Sequence, residues 1–229
     1  MAHASGNKPS TAECSAPQGL DDAARASARR PVEEFLNGVF EGLIERRRET
    51  WNRLVSGAFA EIQKRAGVPG GEQILGSDPF LTFVTEATLI ACRNHDEEKL
   101  RALRNAVVHA ALPEGTDELL QLMFLRLIDY LTPLHLAAVA ILDDPVKWME
   151  RNDVPHPRWP VGTPEKVIEY CVPSLQGRPN IVEMVVRDLQ GAGLVEQGYF
   201  LRMPMSDAGY LQSHTTDSGR QFVRCILAA

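Results

Sequence analysis

Much of what usually announces a function is missing from this chain. Its 24 Lys and Arg stand against 30 Asp and Glu, a formal net charge of −6, so no overall positive field draws it to nucleic acid or anionic lipid. The four cysteines, Cys14, Cys92, Cys171 and Cys225, contain no C-x-x-C pair, whereas zinc sites and disulfide frameworks normally show close spacing. Buried thiols in a reducing cytoplasm are the expectation. No apolar run approaches the roughly 20 residues that span a bilayer, so no membrane partner is expected. Residues 1–30 lack the apolar centre of a secretory signal and are rich in Ala, Ser, Gly and Pro, which reads as a disordered lead-in.

Catalytic signatures are missing as well. There is no G-x-x-x-x-G-K-S/T, no G-x-G-x-x-G opening a helix and no G-x-S-x-G elbow. The six histidines form no H-x-x-x-H or H-E-x-x-H pair, and His135 in "TPLHL" reads as a buried or capping group. "HDEEK", from His95, concentrates acidic residues at a helix start, where capping explains them better than a metal site. "ERRRE", Glu45 to Glu49, fans around a helix and pairs at i,i+4, a solvated face. The expectation is a non-enzymatic protein with no cofactor and no metal.

What the chain does have is helical periodicity. From Pro31, apolar residues including Phe35, Val39, Phe40, Leu43, Trp51, Phe59 and Ile62 recur at three- and four-residue spacing, giving one long helix or two joined near Gly57. Phe40, Trp51 and Phe59 are expected to pack inside the chain, with a dimer surface as the alternative. "VPGGEQILGSD" reads as a loop. Helices then start at Asp78-Pro79, at Asp96 and at Thr116 or Asp117, so residues 31–131 read as an all-α domain.

Residues 132–229 read differently. Thr132 and Pro133 open a helix that Asp143, Asp144 and Pro145 stop. A loop packed by Trp148 and Trp159 follows, then a short helix from Thr163-Pro164 and a second one capped by Asn180. Gly193 occupies a helix-closing position, "LVEQGYFLRM" supplies one strand or two, and Thr216 or Asp217 caps a last helix.

In its element order, and in "RPNIVEMVVRDLQGAGLVEQ" and "TTDSGRQFVRCI", this region resembles a winged helix-turn-helix domain. The resemblance implies a mainly α protein, an N-terminal helical bundle followed by a winged-helix domain with a small β-hairpin. The stretch "HDEEKLRALRNAV", His95 to Val107, resembles helical regions of uncharacterised bacterial proteins, some linked to phage abortive infection. That likeness implies a protein-contact role in a defence or stress system, through a protein partner or self-association of helices.

Duplex DNA is the alternative partner. In a helix-turn-helix the second helix of the pair reads the major groove. On residues 180–190 the outward positions are Asn180, Glu183, Arg187 and Gln190, joined by Arg178 in the preceding turn and Arg202 in the wing, all residue types that can contact bases or phosphates. Charge opposes this reading. Residues 132–229 hold nine Lys or Arg and eleven Asp or Glu, net −2, where a DNA reader gathers positive charge.

Overall fold

The computed structural model describes residues 22–112 and 117–227. Among them are eleven α-helices: α1 (Asp22–Ala66), α2 (Val68–Leu75), α3 (Asp78–Arg93), α4 (Glu97–Ala110), α5 (Glu118–Tyr130), α6 (Pro133–Asp143), α7 (Pro145–Arg151), α8 (Pro164–Cys171), α9 (Pro179–Gly191), α10 (Asp207–Tyr210) and α11 (Asp217–Ile226). The expected lead-in lies outside the described residues up to residue 21, and from Asp22 it is helical.

The chain divides into two compact units, Met1–Leu43 and Ile44–Ala229. Of the first, the described part is helix α1 alone, with Val39 and Phe40 exposed. Within the second, α1 runs unbroken through Gly57. Trp51, Ala58 and Ile62, at helical spacing, are fully buried there. Trp51 Nε1–H donates to Thr88 Oγ1 at 2.8 Å, and Phe59 packs on Phe80 with centroids 6.0 Å apart. Trp51 and Phe59 therefore pack inside the chain, as expected, and Phe40 is exposed. Gly67 ends α1 at φ +74°, and α2 forms where a loop was expected, with Pro69 in its first turn.

Capping follows the sequence closely. Asp96 accepts from the N–H groups of Glu98 and Lys99 at 2.9 and 3.1 Å, and Asp117 does the same for Leu119 and Leu120. Thr163 caps α8 through Lys166 N–H, and Thr216 caps α11 through Gly219 N–H. At α6 the Thr132 N–H donates to His135 Nδ1 at 3.3 Å. That places the ring proton on Nε2, which faces Asp188 Oδ2 of α9 at 3.2 Å. His135 is thus a capping group that also ties α6 to α9. Helix α9 begins one residue before Asn180, at Pro179, with Arg178 at the cap position. Asp144 caps α7 where a loop was expected.

The expectation of a winged-helix domain with a β-hairpin is corrected: no strand occurs among the described residues. The only β pairing there is two isolated antiparallel bridges, Val195 with Thr215 and Gly162 with Met205. The end of α9 is as expected. Gly193 adopts φ +70°, and the N–H groups of Gly193 and Leu194 close back on the carbonyls of Gln190 and Leu189. Past Val195 the ladder fails for a local reason. Gln190 Nε2 donates to the carbonyls of Glu196 and Gly198 at 2.9 and 3.0 Å, occupying acceptors a hairpin could use, and Pro204 has no N–H to offer. Phe200–Arg202 turns into a 3-10 helix instead.

Nor do residues 31–131 and 132–229 keep separate cores within the second unit. Helix α11 packs on α4 as well as on α6. Phe124 of α5 meets Phe222 of α11 edge-on at 5.4 Å, and Asn105 Nδ2–H donates to the Ile226 carbonyl at 2.9 Å. His214 N–H donates to the Leu142 carbonyl, and the Thr215 hydroxyl to Asp143, binding the segment before α11 to the end of α6.

Candidate functional site

The six residues singled out for nucleic acid are brought together around α9, but as a set of internal contacts. Glu183 is the hub. Arg187 Nη2–H donates to its Oε1 at 2.7 Å, and Arg202 reaches the same oxygen at 3.0 Å. Arg202 also donates through Nε to Glu165 of α8 at 2.9 Å. The hydrogen bond from Arg202 holds the Glu183 carboxyl below its usual range, and hydrogen bonds to Glu165 and Glu183 raise Arg202. Arg178 donates to the Ser174 carbonyl at 3.4 Å, and Gln190 clamps the turn after α9. Asn180 is exposed in the first turn of α9. Two of the three arginines end on carboxylates, so the face carries little free positive charge for phosphate.

A large concavity lies elsewhere, among α1, α2, α4, α6, α7 and α11 of the second unit. It is a cleft of ≈ 940 Å3. Its apolar lining comes from Val108, Leu112, Ala140, Trp148, Val223 and Leu227. Five basic residues line it, Arg65, Arg104, Lys147, Arg151 and Arg224, against three acidic ones, Glu61, Asp143 and Asp144. This is a local excess of positive charge in a chain of net −6.

The carboxylates of the cleft are already engaged. Glu61 receives Arg65 and Arg104, Asp143 accepts the Thr215 hydroxyl at 2.7 Å, and Asp144 accepts the Lys147 backbone N–H at 2.9 Å. The side chains of Lys147, Arg151 and Arg224 have no carboxylate partner among the described residues and are exposed. Helix α7 itself explains why: Lys147 and Arg151 are four residues apart, so they share a face and cannot neutralise each other. Arg224 comes from the last turn of α11, where a cation complements the helix dipole.

Among the described residues no three His, Cys, Asp or Glu side chains gather to hold a metal ion. Burial pushes the thiols of Cys171 and Cys225 up to about 12, so neither is a nucleophile at neutral pH. No described helix is long and apolar enough to cross a membrane. Elsewhere Leu81 and Leu89 on α3 and Leu119, Met123 and Tyr130 on α5 are exposed, and α3 and α5 pack together.

The class these features define is a mainly helical protein with a large, mainly apolar, cation-rimmed cleft. No known family, curated protein or solved structure matches the chain.

The sequence reading missed the cleft because its walls come from α1, α2, α4, α6, α7 and α11, far apart along the chain. One signal was there to be read. Lys147 and Arg151 flank Trp148 at helical spacing, within the stretch taken for a loop.

Proposed function

We propose that the protein is a non-enzymatic binding protein of the cytoplasm, an interaction or regulatory component, and that its binding element is the cleft. The observation that carries this reading is the contrast in free charge. Lys147, Arg151 and Arg224 are unneutralised beside an apolar lining, the combination of a large apolar pocket with a few convergent polar groups that marks binding sites. A photo-crosslinking amino acid placed at position 147, and separately at Arg187, tests it in the full chain irradiated in cell lysate. Adducts at 147 and none at 187 are expected. Adducts at 187 alone, or at neither position, overturn the reading.

A second reading, contact with a protein partner, is favoured by the apolar residues exposed on α3 and α5, since monomers rarely leave large contiguous apolar patches open. The two readings are compatible, because the α3–α5 residues do not line the cleft. A defence or stress setting rests on the His95–Val107 resemblance alone. In that stretch Asp96 caps α4, and the Lys99 ammonium donates to the Asp129 carbonyl at 2.8 Å, both structural roles.

A further inference from the structure

We infer that the cleft takes an amphiphilic organic anion, a small molecule with one carboxylate or phosphate head and an extended apolar body. This inference rests on the cleft being the binding element and names what fills it.

Three features of the cleft converge on that class. Its volume of ≈ 940 Å3 lies near the top of the range for small-molecule pockets, about 300–1,000 Å3. That is room for a ligand with a long apolar portion. The apolar lining from Val108, Leu112, Ala140 and Val223 spans α4, the residues just after it, α6 and α11, with Trp148 and Leu227 flanking it. Such a surface gains from covering by hydrocarbon, roughly 25 cal/mol per Å2 of apolar area removed from water.

The sign of the head group follows from pairing. Of the cleft's carboxylates, Glu61 is already paired with Arg65 and Arg104, while Asp143 and Asp144 each accept one hydrogen bond, and five cations outnumber the three carboxylates, so the balance of charge favours a negative head. Lys147 and Arg151 on α7 and Arg224 on α11 have no such partner among the described residues. An anion of either type satisfies them: guanidinium groups pair bidentately with carboxylate and with phosphate. A purely ionic ligand would leave the apolar lining wet, and an uncharged one would leave the cations unmatched. Both parts of the ligand are needed.

Isothermal titration of the full-length protein below micelle-forming concentrations, with dodecanoate, dodecyl phosphate, dodecanol and inorganic phosphate, tests the assignment. Dodecanoate or dodecyl phosphate should bind, one per chain. Whichever of the two is tighter identifies the head group. Dodecanol should bind at least about tenfold more weakly, because it forms no charge-assisted hydrogen bond. Inorganic phosphate should give no measurable heat. The double variant Arg151→Glu with Arg224→Glu changes exposed side chains only, and unchanged circular dichroism verifies its fold. It should lose about tenfold or more in affinity for the anions, with dodecanol unaffected. Arg151→Lys should fall between the native protein and the double variant, since it keeps the charge and loses the bidentate pairing.

Equal affinity for dodecanol and dodecanoate overturns the inference, as does a double variant that binds the anions as well as the native protein. If no amphiphile binds while crosslinks from position 147 persist, the ligand class is wrong and the cleft remains the binding element. If crosslinks fail as well, both fall. An acidic peptide captured at position 147 would be the first of these outcomes.

Discussion

Two surfaces of this protein both gather cations and differ in what those cations do. Around α9, Arg187 and Arg202 converge on Glu183, and Arg202 also reaches Glu165. In the cleft, Lys147, Arg151 and Arg224 meet no carboxylate among the described residues. Sequence spacing accounts for much of this. On α9 the residues four apart are Glu183 and Arg187, of opposite sign; on α7 they are Lys147 and Arg151, of like sign. A charge tally treats the two cases alike. What makes a binding surface is charge left over after local pairing.

The contrast depends on both surfaces being held in place by one framework, and that framework can be broken. Gly219 sits in the first turn of α11, the helix that carries Arg224. A Cβ built there would lie 1.9 Å from the carbonyl oxygen of Leu194, just past the end of α9. No rotamer relieves a clash with backbone. Gly219→Ala should therefore cost about 3 kcal/mol, the upper end for overpacking, read as a lowered urea midpoint. It should weaken ligand binding in the cleft too. A midpoint equal to that of the native chain would mean that α11 and the α9 turn are not in this close contact.

A smaller effect is expected at His135, which fastens α9 to α6. Its Nδ1 accepts from the Thr132 N–H and its Nε2–H faces Asp188. His135→Ala removes a cap and leaves both partners to water, at a cost of about 1–2 kcal/mol. Hydrogen exchange should then show α9 opening ahead of α7, because α7 has its own cap at Asp144. Equal acceleration in both helices would show that α6 carries the two surfaces as one block.

How much of this was readable beforehand differs between local and distant features. The caps at Asp96, Asp117, Thr163 and Thr216 were visible because each involves residues two or three positions apart. Gly193 was visible because the left-handed conformation favours one residue type. The hairpin was expected from β-prone residues around Gly198, and it failed because Gln190 donates to the Gly198 carbonyl and Gln197 donates back to the Gln190 carbonyl, across eight and seven positions. α2 and α7 were taken for loops because Pro and Gly suggested breaks, although Pro is well placed in a first turn. Arg202 with Glu165, 37 residues apart, and the cleft itself arise from tertiary packing that no window of sequence contains.

The smallest effect on stability and the sharpest test of the comparison come from Glu183→Gln. Glu183 is half-exposed and both of its arginine partners are exposed, so the pairing adds little, and the urea midpoint at neutral pH should drop only slightly. The electrostatics should change more. Arg187 would lose its only carboxylate partner, and Arg202 would keep Glu165 alone, so α9 would come to resemble the cleft in carrying free charge. Fluorescence anisotropy with mixed-sequence duplex DNA should then show binding at low salt that the native chain lacks, and it should fade as salt is raised. The native pairing should also respond to acid in a defined direction. Because Arg202 and Arg187 hold the Glu183 carboxyl below its ordinary value of 4.5, their contribution is fully present above that pH. It is lost as the pH falls through the lowered folded value. Stability of the native chain should therefore fall more than that of Glu183→Gln in the acid range below 4.5, so that a small advantage of the native chain near neutrality disappears in acid. Native protein that already binds duplex DNA as well as the variant does would show that pairing at Glu183 does not silence α9, and the contrast between the two surfaces would be lost.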